Sequence, residues 1–124
     1  GLMSENKNFA ININGDGEVH ITEEVVGIIA GLAAAEVDGV ECLVGNLTTE
    51  TIAKAGMAKL SKALRVIENE EGKLIIRMSI NLAYGFEIPA VCANVQDKVK
   101  AAVENMTGLE VVTVDIRIAS VNLG

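Results

Sequence analysis

From Leu74 onward the apolar residues take every second position: Leu74, Ile76, Met78, Ile80, Leu82 and Tyr84, with Lys73, Arg77, Ser79 and Asn81 filling most places between. A period of two over that length predicts a strand with one buried side. The period then changes. Ile88, Cys92, Val95, Val99, Val103 and Met106 recur every three or four positions, opposite Asn94, Asp97, Lys98, Lys100, Glu104 and Asn105, which is the pattern of an amphipathic helix. Pro89 suits its first turn and Gly108 the left-handed cap that ends it. Beyond the cap, Val112, Val114, Ile116 and Ile118 alternate with Thr113, Asp115 and Arg117. Strand, crossover helix and strand imply a parallel pair with a right-handed connection. Each strand is apolar on one side only, so the helix is expected over one face of the sheet and water over the other.

Ahead of this unit, Ser4 to Asn8 is polar and reads as loose. Phe9, Ile11 and Ile13 alternate, Asn14-Gly15-Asp16-Gly17 offers the positive-φ residues of a tight turn, and Val19 and Ile21 alternate again. That order predicts a hairpin. Thr22 is placed to cap a helix over about Glu23 to Val37, with Glu23 and Glu24 complementing its dipole. Val25, Val26, Ile28, Ile29, Leu32, Ala33 and Val37 wrap more than half its circumference, so it is expected to be deeply buried. Gly27, Gly31 and Ala34 or Ala35 form a narrow stripe of small residues. Each glycine costs about 1 kcal/mol in a helix interior, and close approach of another backbone is the usual compensation. That neighbour lies either within the molecule or in a second subunit.

Asp38-Gly39 ends the helix, and Val40 to Val44 reads as a short strand. Gly45 to Ser61 is the least determined segment, with Thr48 or Thr49 capping a weak helix over Glu50 to Ala55 that Gly56 interrupts. Ala63 to Glu68 reads as a strand, which Asn69-Glu70-Glu71-Gly72 turns antiparallel into Leu74. The expected organisation is a tail over 1–14 and a single domain over 15–124. The tail carries Gly1 and Leu2, read as a vector remnant ahead of Met3, and an extra edge strand over 9–13. The domain is expected to be α+β: a two-layer sandwich of a mixed sheet with two main helices packed on one face.

With 124 residues, half of them hydrophobic, one domain can bury roughly two thirds of its unfolded surface. Two Phe, one Tyr and no Trp make that core aliphatic and Ala-rich. The net charge of −7 and pI near 4.6 argue against nucleic acid or anionic lipid as direct partners. Cys42 and Cys92 have no C-x-x-C companion and read as free buried thiols of a reducing compartment. The N-terminus lacks a basic start followed by an apolar run, so no signal peptide is expected. The apolar stretch around Ile28 is too short to span a bilayer and meets Glu36. The chain therefore reads as cytoplasmic, without direct membrane insertion.

No catalytic, cofactor or metal constellation emerges. His20, the only histidine, shares strand parity with Glu18 and Thr22 and reads as a surface residue. Glu23 with Glu24 and Glu70 with Glu71 are adjacent carboxylates. Neighbours in sequence do not face each other on a helix, so they read as a dipole complement and a solvated turn. Gly15-Asp16-Gly17 is too short for a phosphate loop. What remains are candidates for protein contact. Gly27 and Gly31 form the small-residue stripe. Tyr84 and Phe86 either close the core's end or serve as an exposed anchor. Arg77 and Arg117, with Asp115 on the outer sheet face, form either a solvated ladder or a polar docking face.

Two blocks of the chain resemble a known family. The first is Gly17-Glu18-Val19-His20-Ile21-Thr22-Glu23-Glu24-Val25-Val26, then Ile29-Ala30-Gly31-Leu32-Ala33 and Glu36-Val37-Asp38-Gly39-Val40. The second is Tyr84-Gly85, Ile88-Pro89, Val95-Gln96, Val99-Lys100, Val103 to Leu109 and Val112-Thr113-Val114. Their order and spacing resemble the alkaline shock protein family of Gram-positive bacteria, also called general stress or envelope stress response proteins. The likeness runs from about Gly15 to Asn122 and is poor over Gly45 to Ser61. It implies a non-enzymatic, self-associating cytoplasmic protein, gathered at the inner face of the membrane by a separate anchoring protein and acting in cell-envelope homeostasis. The alternative it implies is a regulatory module that contacts an enzyme of fatty-acid or lipid metabolism. It supplies no catalytic residues and no cofactor.

Overall fold

The computed structural model describes the backbone of residues 8–12 and 18–124, with side chains from Thr22 onward. Strands β1 (Asn8–Asn12) and β2 (Glu18–Thr22) pair antiparallel, Phe9 opposite Ile21 and Ile11 opposite Val19. They make a two-stranded sheet of their own, so the expected extra strand is present but does not extend the main sheet. Ile13, the turn at Asn14 to Gly17 and the His20 side chain lie outside the described residues.

The second sheet is built around β5 (Leu74–Leu82). Strand β6 (Val111–Val121) runs parallel along one side of it, as the crossover predicts. The other side is shared end to end by two antiparallel strands. Strand β4 (Leu64–Glu68) pairs with the first half of β5, Arg65 opposite Arg77. Strand β3 (Val40–Leu43) pairs with the second half, Leu43 opposite Ile80. Ser79 bridges the join: its N–H donates to the Ala63 carbonyl (2.8 Å) and its carbonyl accepts from Val44 N (3.1 Å). The sheet is therefore mixed and only three strands wide at any point.

Along β5 the burial follows sequence parity, with Leu74, Ile76, Met78, Ile80 and Leu82 all buried. The turn into it is tied by Asn69, whose Oδ1 accepts from Glu71 N and Lys73 N, each at 2.9 Å. Strand β6 departs from strict alternation. Leu74 faces Val111 but Ile75 faces Thr113, so Val112 is an extra residue in the ladder and is 43% exposed rather than buried. A one-residue bulge flips the parity ahead of it. Val111 is thereby buried in place of Val112.

Helices α1 (Glu23–Ala35) and α4 (Ile88–Thr107) pack side by side on one face of this sheet. Thr22 caps α1, its Oγ1 accepting from Val25 N at 3.2 Å. Pro89 lies in the first turn of α4, and Gly108 closes that helix in the left-handed region at φ 76°. Burial within the helices differs from the sequence expectation. On α4 the buried line is Val91, Val95, Val99, Val103 and Thr107, whereas Ile88 (44%) and Met106 (70%) are exposed. On α1 the fully buried residues are Val26, Gly27, Ala30, Gly31, Ala33 and Ala34; Ile28, Ile29 and Leu32 are half-buried, and Val25 is exposed.

On α1 the reason lies in the segment that the sequence left open. It forms α2 (Thr49–Ala55) and α3 (Met57–Leu60), which pack onto α1. Thr48 caps α2, and Gly56, at φ 63°, interrupts it as expected. With the sheet on one side and α2–α3 on another, the enclosed positions of α1 have room only for small side chains. A Cβ on Gly31 would sit 3.1 Å from Leu60 Cδ1 and 3.5 Å from Ile52 Cδ1, and one on Gly27 2.9 Å from Met57 Sδ. The close neighbours are side chains of the same chain rather than another backbone, and their packing offsets the roughly 1 kcal/mol that each glycine costs the helix.

Candidate functional site

Two surfaces collect the exposed side chains that the sequence singled out. The first lies where β5 and β6 end and α4 begins. Tyr84 is 66% exposed and Phe86 47%, because the strand ends at Leu82 and carries neither into the core. Ile88, Val121 and Leu123 are exposed around them. The chain's last residues cross this end. Asn122 N donates to the Leu82 carbonyl, and a Cβ on Gly124 would lie 3.5 Å from the Tyr84 ring. Phe86 reaches back toward Gly39, where a Cβ would lie 3.0 Å from the ring and 2.6 Å from Val91 Cγ2, and where the φ of +98° also favours glycine. An aromatic pair with three aliphatic neighbours therefore faces solvent at one end of the molecule. Large apolar side chains grouped in this way mark contact surfaces.

The second surface is the face of the sheet that the helices leave open. Register places Arg65, Arg77 and Asp115 in one row across β4, β5 and β6, and Arg117 beside Ser79 in the next. Arg77 Nε donates to Asp115 Oδ2 at 3.4 Å. Both side chains are more than half exposed, at 61% and 55%, so the pair contributes little to stability. The predicted grouping of Arg77, Asp115 and Arg117 is present. Arg65 escaped the sequence reading, although the turn from Asn69 to Lys73 sets the register that puts it opposite Arg77. Further along this face Ser120 Oγ hydrogen-bonds Asn81 Oδ1 (2.8 Å), and Asn122 Nδ2 donates to Glu41 Oε1 (2.7 Å).

Gly27 and Gly31 are placed differently. Both are buried, and the neighbours they admit are the chain's own Met57, Leu60 and Ile52. Of the two thiols, both free, Cys42 is buried and accepts from Asn81 Nδ2 at 3.4 Å. Cys92 is only half-buried, and desolvation raises its thiol pKa. Among the described residues, no three His, Cys, Asp or Glu side chains gather as a metal would require. No described helix is long and apolar enough to cross a membrane.

The fold and its surfaces define a small α+β domain with an exposed apolar end and an open polar sheet face. Comparison with known proteins narrows this. The chain belongs to the alkaline shock protein 23 family, the alkaline shock and general stress group, whose described function is cell envelope-related; the family model matches residues 12–123. It is similar to the uncharacterized protein YqhY of Bacillus subtilis, at 34% identity over 105 residues, 85% of this chain and 77% of that one. The uncharacterized protein YloU of the same organism is 34% identical over 114 residues, 86% of this chain and 90% of that one. The uncharacterized protein Spy1535 of Streptococcus pyogenes is 30% identical over 105 residues, 85% and 79% of the two chains. No solved structure matches the chain.

Proposed function

We infer that this protein acts without catalysis, as a self-associating cytoplasmic component of cell-envelope homeostasis. On this reading it is held at the inner face of the membrane by a membrane-anchored partner. The observation that carries the reading is the uncovered apolar end formed by Tyr84, Phe86, Ile88, Val121 and Leu123. Exposed aromatic side chains on a rigid frame are the usual anchors of protein interfaces. The cell envelope-related description of the family supports the setting in which such contacts operate.

The test is sedimentation velocity across a dilution series. The wild-type protein is expected to sediment faster as concentration rises. A Tyr84→Ser, Phe86→Ser double variant is expected to remain monomeric with its fold intact, because neither ring is part of the core. A wild-type protein that stays strictly monomeric at its highest soluble concentration would remove the self-association. Uniform cytoplasmic fluorescence of a tagged copy in stressed cells would remove the recruitment.

A further inference from the structure

The chain has only three arginines, Arg65, Arg77 and Arg117, and all three line one open depression of about 320 Å³ on the uncovered sheet face. Lys62 and Ser79 line it as well, and Asp115 is the one carboxylate among its described lining residues. Four cations against one anion form a sharp local reversal in a chain of net charge −7. The arrangement also works against the sheet itself. Arg65 and Arg77 stand directly opposite each other on neighbouring antiparallel strands, where like charges destabilise. Asp115 meets Arg77 through Nε alone.

We propose that this arginine face docks an acidic segment of a partner protein, its carboxylates taken by the guanidinium forks of Arg65, Arg77 and Arg117. Arginine is the side chain that binds carboxylates in two-point fashion. The spacing suits a polypeptide. Arg65 and Arg77 are direct cross-strand neighbours, roughly 5 Å apart at Cβ, and Arg117 is diagonal to Arg77 across the parallel pair, at roughly 8 Å from strand spacing and rise. Carboxylates on alternate residues of an extended segment, about 6.6 Å apart along one side, match that reach. In the row beyond, Ile67 pairs with Ile75 and both are half-buried, so the surface continues into an apolar strip beside the arginines. A free small anion finds no enclosure here, because Arg77 and Asp115 stand well out in solvent, whereas small-ligand sites bury most of the ligand. Nucleic acid is disfavoured by the net charge and by the absence of an aromatic side chain among the lining residues. Two copies meeting through this same face would set arginine against arginine.

The proposal rests on the reading of this protein as one that works through protein contacts, but not on self-association. Its test is fluorescence anisotropy with a short labelled peptide alternating glutamate and serine, with leucine at one end. Wild-type protein is expected to bind it, more weakly as salt rises, and not to bind the same peptide with glutamine for glutamate. Arg77→Gln with Arg117→Gln is expected to weaken binding by about tenfold or more. Lys54→Gln with Lys100→Gln, which changes net charge equally on other surfaces, is expected to leave it unchanged. Absence of binding at low salt overturns the proposal, and so does equal weakening by the lysine pair. Co-sedimentation with phosphatidylglycerol vesicles that depends on these arginines, without peptide binding, assigns the face to lipid and overturns it. An arginine variant that alters only self-association assigns the face to a second copy and overturns it too. A strict monomer that binds the peptide keeps this proposal while removing self-association.

Discussion

Gly31→Leu is the substitution that most directly tests how the helical layer is built. Gly31 lies on the face of α1 pressed by α2 and α3, where even a Cβ would sit 3.1 and 3.2 Å from the two terminal carbons of Leu60. Leu60 is 0% exposed and Ile52 1%, so neither can swing into solvent to make way. Against this, replacing glycine in a helix interior gains about 1 kcal/mol. Forcing extra methylenes into a packed interior costs about 1–3 kcal/mol when one or two are added, and leucine adds four carbons. The crowding exceeds the helical gain, and a net loss of about 2–3 kcal/mol is expected. Urea denaturation followed by circular dichroism measures it as a lower midpoint at unchanged slope. A companion cycle locates the cause. Leu60→Ala alone should cost about 2–5 kcal/mol through its cavity, but combined with Gly31→Leu it should cost less than the sum by more than about 1 kcal/mol. A Gly31→Leu protein within about 0.5 kcal/mol of wild type, or strictly additive behaviour in the cycle, refutes the close packing of α1 against α3.

Other consequences are checked more simply. Asn69→Ala removes the acceptor shared by Glu71 N and Lys73 N and should cost about 1 kcal/mol in the same assay. Thr48→Ala removes the α2 cap, whose hydroxyl and backbone exchange hydrogen bonds with Thr51; about 1 kcal/mol is expected, with hydrogen exchange faster through Thr49 to Ala55. Arg77→Gln breaks only an exposed ion pair and should change stability by less than about 0.5 kcal/mol, which separates its effect on peptide binding from any effect on folding. Burial raises the Cys92 thiol pKa, so its alkylation should lag a free thiol at neutral pH and gain on it only in more alkaline solution. The sign of the linked stability follows. The unfolded chain loses that proton first, so this thiol contributes no pH dependence below the ordinary thiol range and lowers stability as pH rises through it.

Much of the fold is legible in local pattern. Burial along Leu74 to Leu82 follows a period of two, the caps at Thr22 and Gly108 stand where their chemistry demands, and the turn after Glu68 forms with Gly72 at φ 79°. The errors share a cause. Ile88, Met106 and Val112 are apolar and sit on or beside a periodic face, yet they emerge into solvent, Ile88 and Met106 at the two ends of α4 and Val112 where a bulge turns the strand. The candidate surfaces were half legible. Arg77 and Arg117 could be put on one face by parity, but Arg65 joins them only through a strand pairing, and Ile88 and Leu123 join Tyr84 and Phe86 only because two strand ends and a helix start coincide.

Outside residues 45–61, the elements, their caps and the crossover unit could be read from the chain alone, because these depend on residues within a few positions of one another. Family membership also follows from sequence. Tertiary structure alone decided that β3 and β4 share one side of β5, that α2 and α3 seal α1, and that three arginines scattered along the chain converge. Those outcomes depend on contacts between distant segments. Such contacts are settled by competition for limited space around one core, and no local period records the result.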